Sequence, residues 1–191
     1  MKPTDQVNLR DLLGDLLLLK SDGKVFSGDT SSLDGKYVAL YFSAHWCPPC
    51  RGFTPKLRTM HSTLLSQGKA FEVVFVSSDQ SLQQFEDYYA EMPWAAVPYS
   101  SSQLRAKISR HFGIQGIPAL IMVSPDGAII NRNARTAVLQ DPAGANFPWA
   151  GLDAGANASS GMPNPFIVII LLVILYYYLV APYLKGSSQQ P

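Results

Sequence analysis

The chain holds two cysteines, both in the stretch Trp46-Cys47-Pro48-Pro49-Cys50-Arg51. Side chains at i and i+3 share one face of a helix, so sulfurs at Cys-x-x-Cys spacing there can pair. The stretch follows the apolar run Tyr37–Phe42, which reads as a buried strand. It precedes Phe53, Leu57, Met60, Leu64 and Leu65, which recur at helical spacing. The cysteines therefore lie where a strand turns into the first turn of a helix. Backbone N–H groups in that turn lack partners, and the peptide dipoles favour negative charge there. A Cys47 thiolate would be stabilised and its pKa lowered. Cys50, one turn in, is expected to be more buried and less ionised. The pair is thus asymmetric: Cys47 attacks a disulfide and Cys50 resolves the mixed disulfide. Pro48 and Pro49 fix φ near the helical value, remove two N–H groups and stiffen the loop. The alternative use of two cysteines is zinc, which would also need two of His45, His61 and His111. No metal is expected.

The elements that must position this pair follow from pattern. Leu16–Lys20 and Lys24–Phe26 around Asp22-Gly23 read as a β-hairpin. The strand at 37–43 leads into a helix at about 49–66, closed by Gly68. Phe71–Ser77 is a second buried strand. Leu82, Phe85, Tyr88 and Tyr89 mark a helix stopped by Pro93, and residues 103–112 form another. Ile117–Val123 is a strand entered through Pro118. Asp126-Gly127 then turns the chain back into Ala128–Ile130. This order describes an α/β protein with a mixed sheet flanked by helices. Pro118 is trans by default and merely opens its strand. A cis bond would instead present the Ile117 backbone to a substrate chain.

Composition limits the function classes. Fifteen Lys and Arg against fourteen Asp and Glu give a formal charge of +1, which asks for no nucleic acid. Two cysteines placed as a redox pair argue against a secreted disulfide scaffold. Met1 to Arg10 has no apolar segment, and Leu12–Leu19 is preceded by Asp11 and interrupted by Gly14 and Asp15, so no signal peptide is expected.

The order of elements, the Cys-Pro-Pro-Cys motif and Gly116-Ile117-Pro118 resemble the thioredoxin fold. Phe42-Ser43-Ala44-His45-Trp46-Cys47-Pro48-Pro49-Cys50-Arg51-Gly52-Phe53-Thr54-Pro55 resembles the tryparedoxins, with the nucleoredoxins as close relatives. Phe71–Phe75, Met92-Pro93-Trp94, Asp141-Pro142 and Phe147-Pro148-Trp149 match as well, over about residues 9–149. The resemblance implies electron transfer from trypanothione, a bis-glutathionyl dithiol, or from glutathione. The recipients would be peroxidases of the peroxiredoxin and glutathione-peroxidase types. It casts Cys47 and Cys50 as nucleophile and resolving cysteine. Trp46, Ile117 and Pro118 would face the substrate, and Arg135 would meet a donor carboxylate. Tyr41 stands where thioredoxins place an acid, so proton removal from Cys50 would rely on water, Tyr41 or His45. His45 replaces the usual serine; it either lowers the Cys47 pKa when protonated or is a solvated loop histidine. Ser78, in Ser77-Ser78-Asp79, stands where tryparedoxins carry a tryptophan, and there the resemblance is closer to nucleoredoxin.

The chain divides into a thioredoxin-like domain (1–149), a linker (150–165), an apolar segment (166–184) and a polar tail (185–191). The linker is rich in Ala, Gly, Asn, Ser and Pro. The run from Phe166 to Leu184 carries no charge and is near the ~20 residues a membrane-spanning helix needs. Its Tyr cluster and Lys185 lie toward one end, as interfacial anchors do. A tail anchor is expected, with the domain facing the cytosol from the mitochondrial outer membrane or the endoplasmic reticulum. The competing readings are a lipid-anchor signal and a buried C-terminal helix. Three functions fit: a tethered dithiol reductant, a redox-inactive adaptor of nucleoredoxin type, and an oxidant or isomerase. No bound cofactor is expected for any of them.

Overall fold

In a computed structural model, residues 6–21 and 24–151 are described. The expected hairpin turn at Asp22-Gly23, the linker beyond Gly151 and the apolar segment lie outside these residues. Among the described residues no helix is long and apolar enough to cross a membrane.

The elements in chain order are α1 (Leu9–Leu13), β1 (Leu17–Ser21), β2 (Lys24–Gly28), β3 (Tyr37–Ser43), α2 (Pro48–Ser66), β4 (Phe71–Ser77), α3 (Leu82–Ala90), β5 (Ala95–Ala96), α4 (Ser102–His111), β6 (Ala119–Val123), β7 (Ile129–Asn131) and α5 (Ala134–Gln140). One sheet takes the order β2-β1-β5-β4-β3-β6-β7. β3, β4 and β5 run parallel, while β6 lies antiparallel to β3. The central strands read as unbroken apolar runs because helices cover both faces. Ala39 and Tyr41 of β3 join Phe71, Val73 and Phe75 of β4 under α2, α3 and α5. Val38, Leu40 and Phe42 join Val74 and Val76 on the opposite face, under α1 and α4.

Three short elements depart from expectation. α1 forms because Asn8 Oδ1 accepts from the N–H groups of Arg10 and Asp11, and Gly14, at φ +74°, ends it. β5 is a two-residue strand wedged between β1 and β4. α5 occupies residues for which the pattern predicts no element. β6 begins at Ala119, two positions later than expected, and the Ile117–Pro118 peptide before it is cis, which corrects the default trans reading.

A lock at the end of the domain holds the last described residues. Asp141 accepts from the backbone N–H of Ala145 and Asn146 and from Trp149 Nε1. Asn131 Nδ2 donates to the Trp149 carbonyl at 2.9 Å. Trp149 is thereby buried against Phe147 in the core under α2.

Candidate active site

Parallel strands deliver their C-terminal ends to one edge of the sheet, and β3 there feeds α2. Cys47 is the N-cap of α2, with φ −94° and ψ 106°. Pro48 and Pro49 fill the next two positions, where an N–H would lack a helical partner. The first N–H the helix offers therefore belongs to Cys50. It donates to Cys47 Sγ at 3.3 Å. The sulfur thus occupies the position a capping oxygen would take, at the positive end of a nineteen-residue helix.

Cys47 and Cys50 form a disulfide with Cα atoms 5.2 Å apart, within the usual range. Cys47 retains 5% exposure and Cys50 has none. That asymmetry has the direction expected of an attacking and a resolving sulfur. Among the described residues no group of three or more His, Cys, Asp or Glu could hold a metal.

Of the expected substrate-facing residues, Ile117 meets the sulfurs. The cis Ile117–Pro118 peptide puts the Ile117 carbonyl oxygen 3.9 Å from Cys47 Sγ. Ile117 packs on Ala44, Cys47 and Cys50, and Pro118 is buried behind it. Trp46 is 48% exposed and its Nε1 donates to the Ser78 carbonyl at 3.1 Å, which leaves an indole face open beside Cys47. Ser78 itself is exposed.

His45 is half-buried, its ring stacked on Tyr88 at 5.7 Å, and its backbone N–H donates to Asp79 Oδ1. The solvated loop histidine is corrected to a packed one, because Tyr88 supplies an aromatic face under the loop. Arg135 is exposed in the first turn of α5.

Behind Cys50 lies a group that no spacing in the sequence announces. Tyr41 and Ser43 of β3, Thr54 of α2 and Tyr88 of α3 are all buried, and their four hydroxyls bond one another. Tyr41 Oη lies 2.8 Å from Thr54 Oγ1, and Ser43 Oγ donates to Tyr41 Oη at 2.9 Å. Thr54 Oγ1 lies 2.5 Å from Tyr88 Oη. The outlet of this quartet is the Cys50 carbonyl, which accepts from Thr54 Oγ1 at 3.1 Å and from Tyr41 Oη at 3.4 Å. Burial above all, and then the neighbouring Tyr88, push the Tyr41 hydroxyl far above the ordinary phenol range. Tyr41 therefore stays protonated and serves as a donor. As a base for Cys50 it is unsuited.

Residues 35–129 match the family described as Thioredoxin-like. Tryparedoxin of Trypanosoma brucei brucei is 49% identical over 133 residues, covering 69% of this chain and 90% of that protein. The chain belongs to the thioredoxin-like family of tryparedoxins and nucleoredoxins. Human nucleoredoxin is 47% identical over 132 residues, 69% of this chain, but the chain spans only 30% of that protein's length. The solved structure of tryparedoxin II complexed with glutathionylspermidine is 37% identical and superposes with a TM-score of 0.67, covering 74% of this chain and 98% of that one. The domain is thus a tryparedoxin-like thiol oxidoreductase domain with a disulfide-capable Cys47–Cys50 pair.

Proposed function

We propose that the domain passes two electrons from a low-molecular-weight dithiol of the trypanothione type, or from glutathione, to protein disulfides such as those of peroxiredoxin-type and glutathione-peroxidase-type peroxidases. The observation that carries this reading is Cys47 Sγ at the N-cap of α2, held by the Cys50 N–H and facing the Ile117 carbonyl. The Cys47 thiolate attacks one sulfur of the target disulfide. A Cys47 mixed disulfide forms and the other target sulfur leaves as a thiolate that takes up a proton. Cys50 then loses its proton and attacks Cys47 Sγ, which closes the Cys47–Cys50 disulfide and releases the second target thiol. The donor thiols reverse these steps. Glutathionylspermidine in a related tryparedoxin supports a glutathionyl donor.

In this reading residues 166–184 anchor the protein in the mitochondrial outer membrane or the endoplasmic reticulum, with the domain in the cytosol. A linker of about 16 residues would hold the domain within roughly 25 Å of the surface. Tethering raises its effective concentration toward membrane-bound partners. Ser78, exposed where a tryptophan wall is usual, favours a second reading: an adaptor of nucleoredoxin type that binds partners without turnover. Reduction of a peroxiredoxin by the full chain with trypanothione, glutathione or dithiothreitol separates the two. Turnover supports the reductant; none with any donor leaves the adaptor.

A further inference from the structure

The ladder between β3 and β4 ends at the pair Ser43–Ser77, one rung after which Ser78 N–H donates to the Ser43 carbonyl at 2.9 Å. The chain carrying Cys47 must leave the sheet here, and the next inward-facing N–H, that of His45, has no strand left to bond. A buried donor without an acceptor is costly. Asp79 supplies the acceptor. Its Oδ1 receives the His45 N–H at 2.7 Å and its Oδ2 receives Ser77 Oγ–H at 2.7 Å, while its own N–H donates to Ser77 Oγ at 2.9 Å. Asp79 is 6% exposed. On the same turn Arg105 of α4 donates Nη1 to the Ser77 carbonyl at 2.8 Å, and so braces the turn from behind. Trp46 Nε1 donates to the Ser78 carbonyl, a second tie between the turn and the nucleophile's loop.

From this geometry we infer that Asp79 is a positioning residue for the redox reaction: its carboxylate continues the ended ladder by one rung and fixes the His45-Trp46 backbone, and through it the direction in which Cys47 Sγ meets an incoming disulfide. Asp79 touches neither sulfur nor substrate in this role. It acts only through the main chain, two residues before the nucleophile. The inference rests on the redox reading of Cys47 and Cys50.

The test compares the full-length chain with Asp79→Ala, Asp79→Asn and Ser77→Ala. Far-ultraviolet dichroism and a cooperative melt identify the variants that are folded. The readouts are the pH profile of Cys47 alkylation by iodoacetamide after reduction, and the Cys47–Cys50 equilibrium against a glutathione redox buffer. Asp79→Asn keeps an oxygen for the His45 N–H and an amide for Ser77 Oγ, so it is expected within threefold of wild type in both. Asp79→Ala removes the rung and is expected to slow Cys47 alkylation at least tenfold. It should also move the redox equilibrium about tenfold, or ~30 mV for two electrons. Ser77→Ala frees one carboxylate oxygen and is expected in between, which decides the matter should Asp79→Ala fail to fold. Folded variants with wild-type profile and potential would overturn the inference. So would Asp79→Asn as impaired as Asp79→Ala, since charge rather than the rung would then be at work. A wild-type chain whose cysteines never equilibrate with glutathione would overturn the redox reading itself, a distinct result.

Discussion

The four hydroxyls behind Cys50 allow a quantitative prediction. Replacing Tyr41 with Phe deletes one hydroxyl and little volume. Its close bonds are to Thr54 Oγ1 at 2.8 Å and Ser43 Oγ at 2.9 Å, and two further contacts, to Cys50 and Tyr88, are 3.4 Å long. The groups left behind are not orphaned. Ser43 Oγ keeps Tyr88 Oη at 3.0 Å, and Thr54 Oγ1 keeps both Tyr88 Oη and the Cys50 carbonyl. The loss is therefore the net worth of two buried hydrogen bonds at about 1 kcal/mol each, with no desolvation penalty added, or about 2 kcal/mol. Thr54→Val is nearly isosteric and should cost about 2–3 kcal/mol, because the Cys50 carbonyl then keeps only the long Tyr41 contact from this group. The two sites share one bond, so the double variant should fall short of the sum by about 1 kcal/mol. Urea unfolding of the oxidised protein, read as a double-mutant cycle, measures all three numbers. Strict additivity, or a Tyr41→Phe cost below ~0.5 kcal/mol, would mean that the hydroxyls do not act as one connected group.

Three further predictions follow from other parts of the fold. Tyr41 and Tyr89 are held above the ordinary phenol range chiefly by burial. The folded state therefore keeps protons that the unfolded chain loses above pH ~10, and stability should fall as pH rises beyond that point. In absorbance at ~295 nm, Tyr41 and Tyr89 should ionise only as the protein unfolds, and Tyr41→Phe should remove one late-ionising group. Partial burial acts to raise the Asp141 carboxyl, but the donors Asn146, Trp149 and Ala145 outweigh it and hold the group below the usual carboxylate range. Its contribution is present above pH ~4 and lost as pH falls below that value. Asp141→Asn should cost about 1–2 kcal/mol at pH 7 and flatten the acid limb of the stability profile, read by urea midpoints from pH 7 to 3. Lys20 donates Nζ to the carbonyls of Tyr89, in the last turn of α3, and Met92, just past it, and sits 4.2 Å over the Tyr89 ring. Lys20→Met should lower stability by about 1–2 kcal/mol in the same measurement, leaving Cys47 alkylation unchanged.

The parts of this fold that could be read from the chain are those whose burial imposes a long pattern. β3 and β4 are covered on both faces, so Tyr37–Phe42 and Val73–Val76 are uniformly apolar. α2 repeats Phe53, Leu57, Met60 and Leu64 at helical spacing, and all four are buried. α1, β5 and α5 are five, two and seven residues long, too short for a period to emerge, and local caps or neighbouring strands decide them. The cysteine pair was legible because its chemistry depends on adjacent residues. Pro118 reads as trans by default because the dipeptide alone does not specify the isomer, and the structure corrects that reading to cis. Asp79, Thr54 and Tyr88 were not legible as site residues, because α2, α3 and the end of β4 bring them to Cys47 and Cys50 from distant positions. The one local trace of that assembly is the polar run Ser77-Ser78-Asp79 at the end of an apolar strand.

Trapping with glutathione disulfide tests the central claim most directly. The reduced Cys50→Ser chain should take up one glutathionyl group, rapidly and at neutral pH, with mass spectrometry placing it on Cys47 and the adduct persisting because no resolving sulfur remains. The Cys47→Ser chain should react at least tenfold more slowly through the fully buried Cys50. Equal rates for the two variants, or an adduct found on Cys50 in preference, would contradict the assignment of Cys47 as the nucleophile.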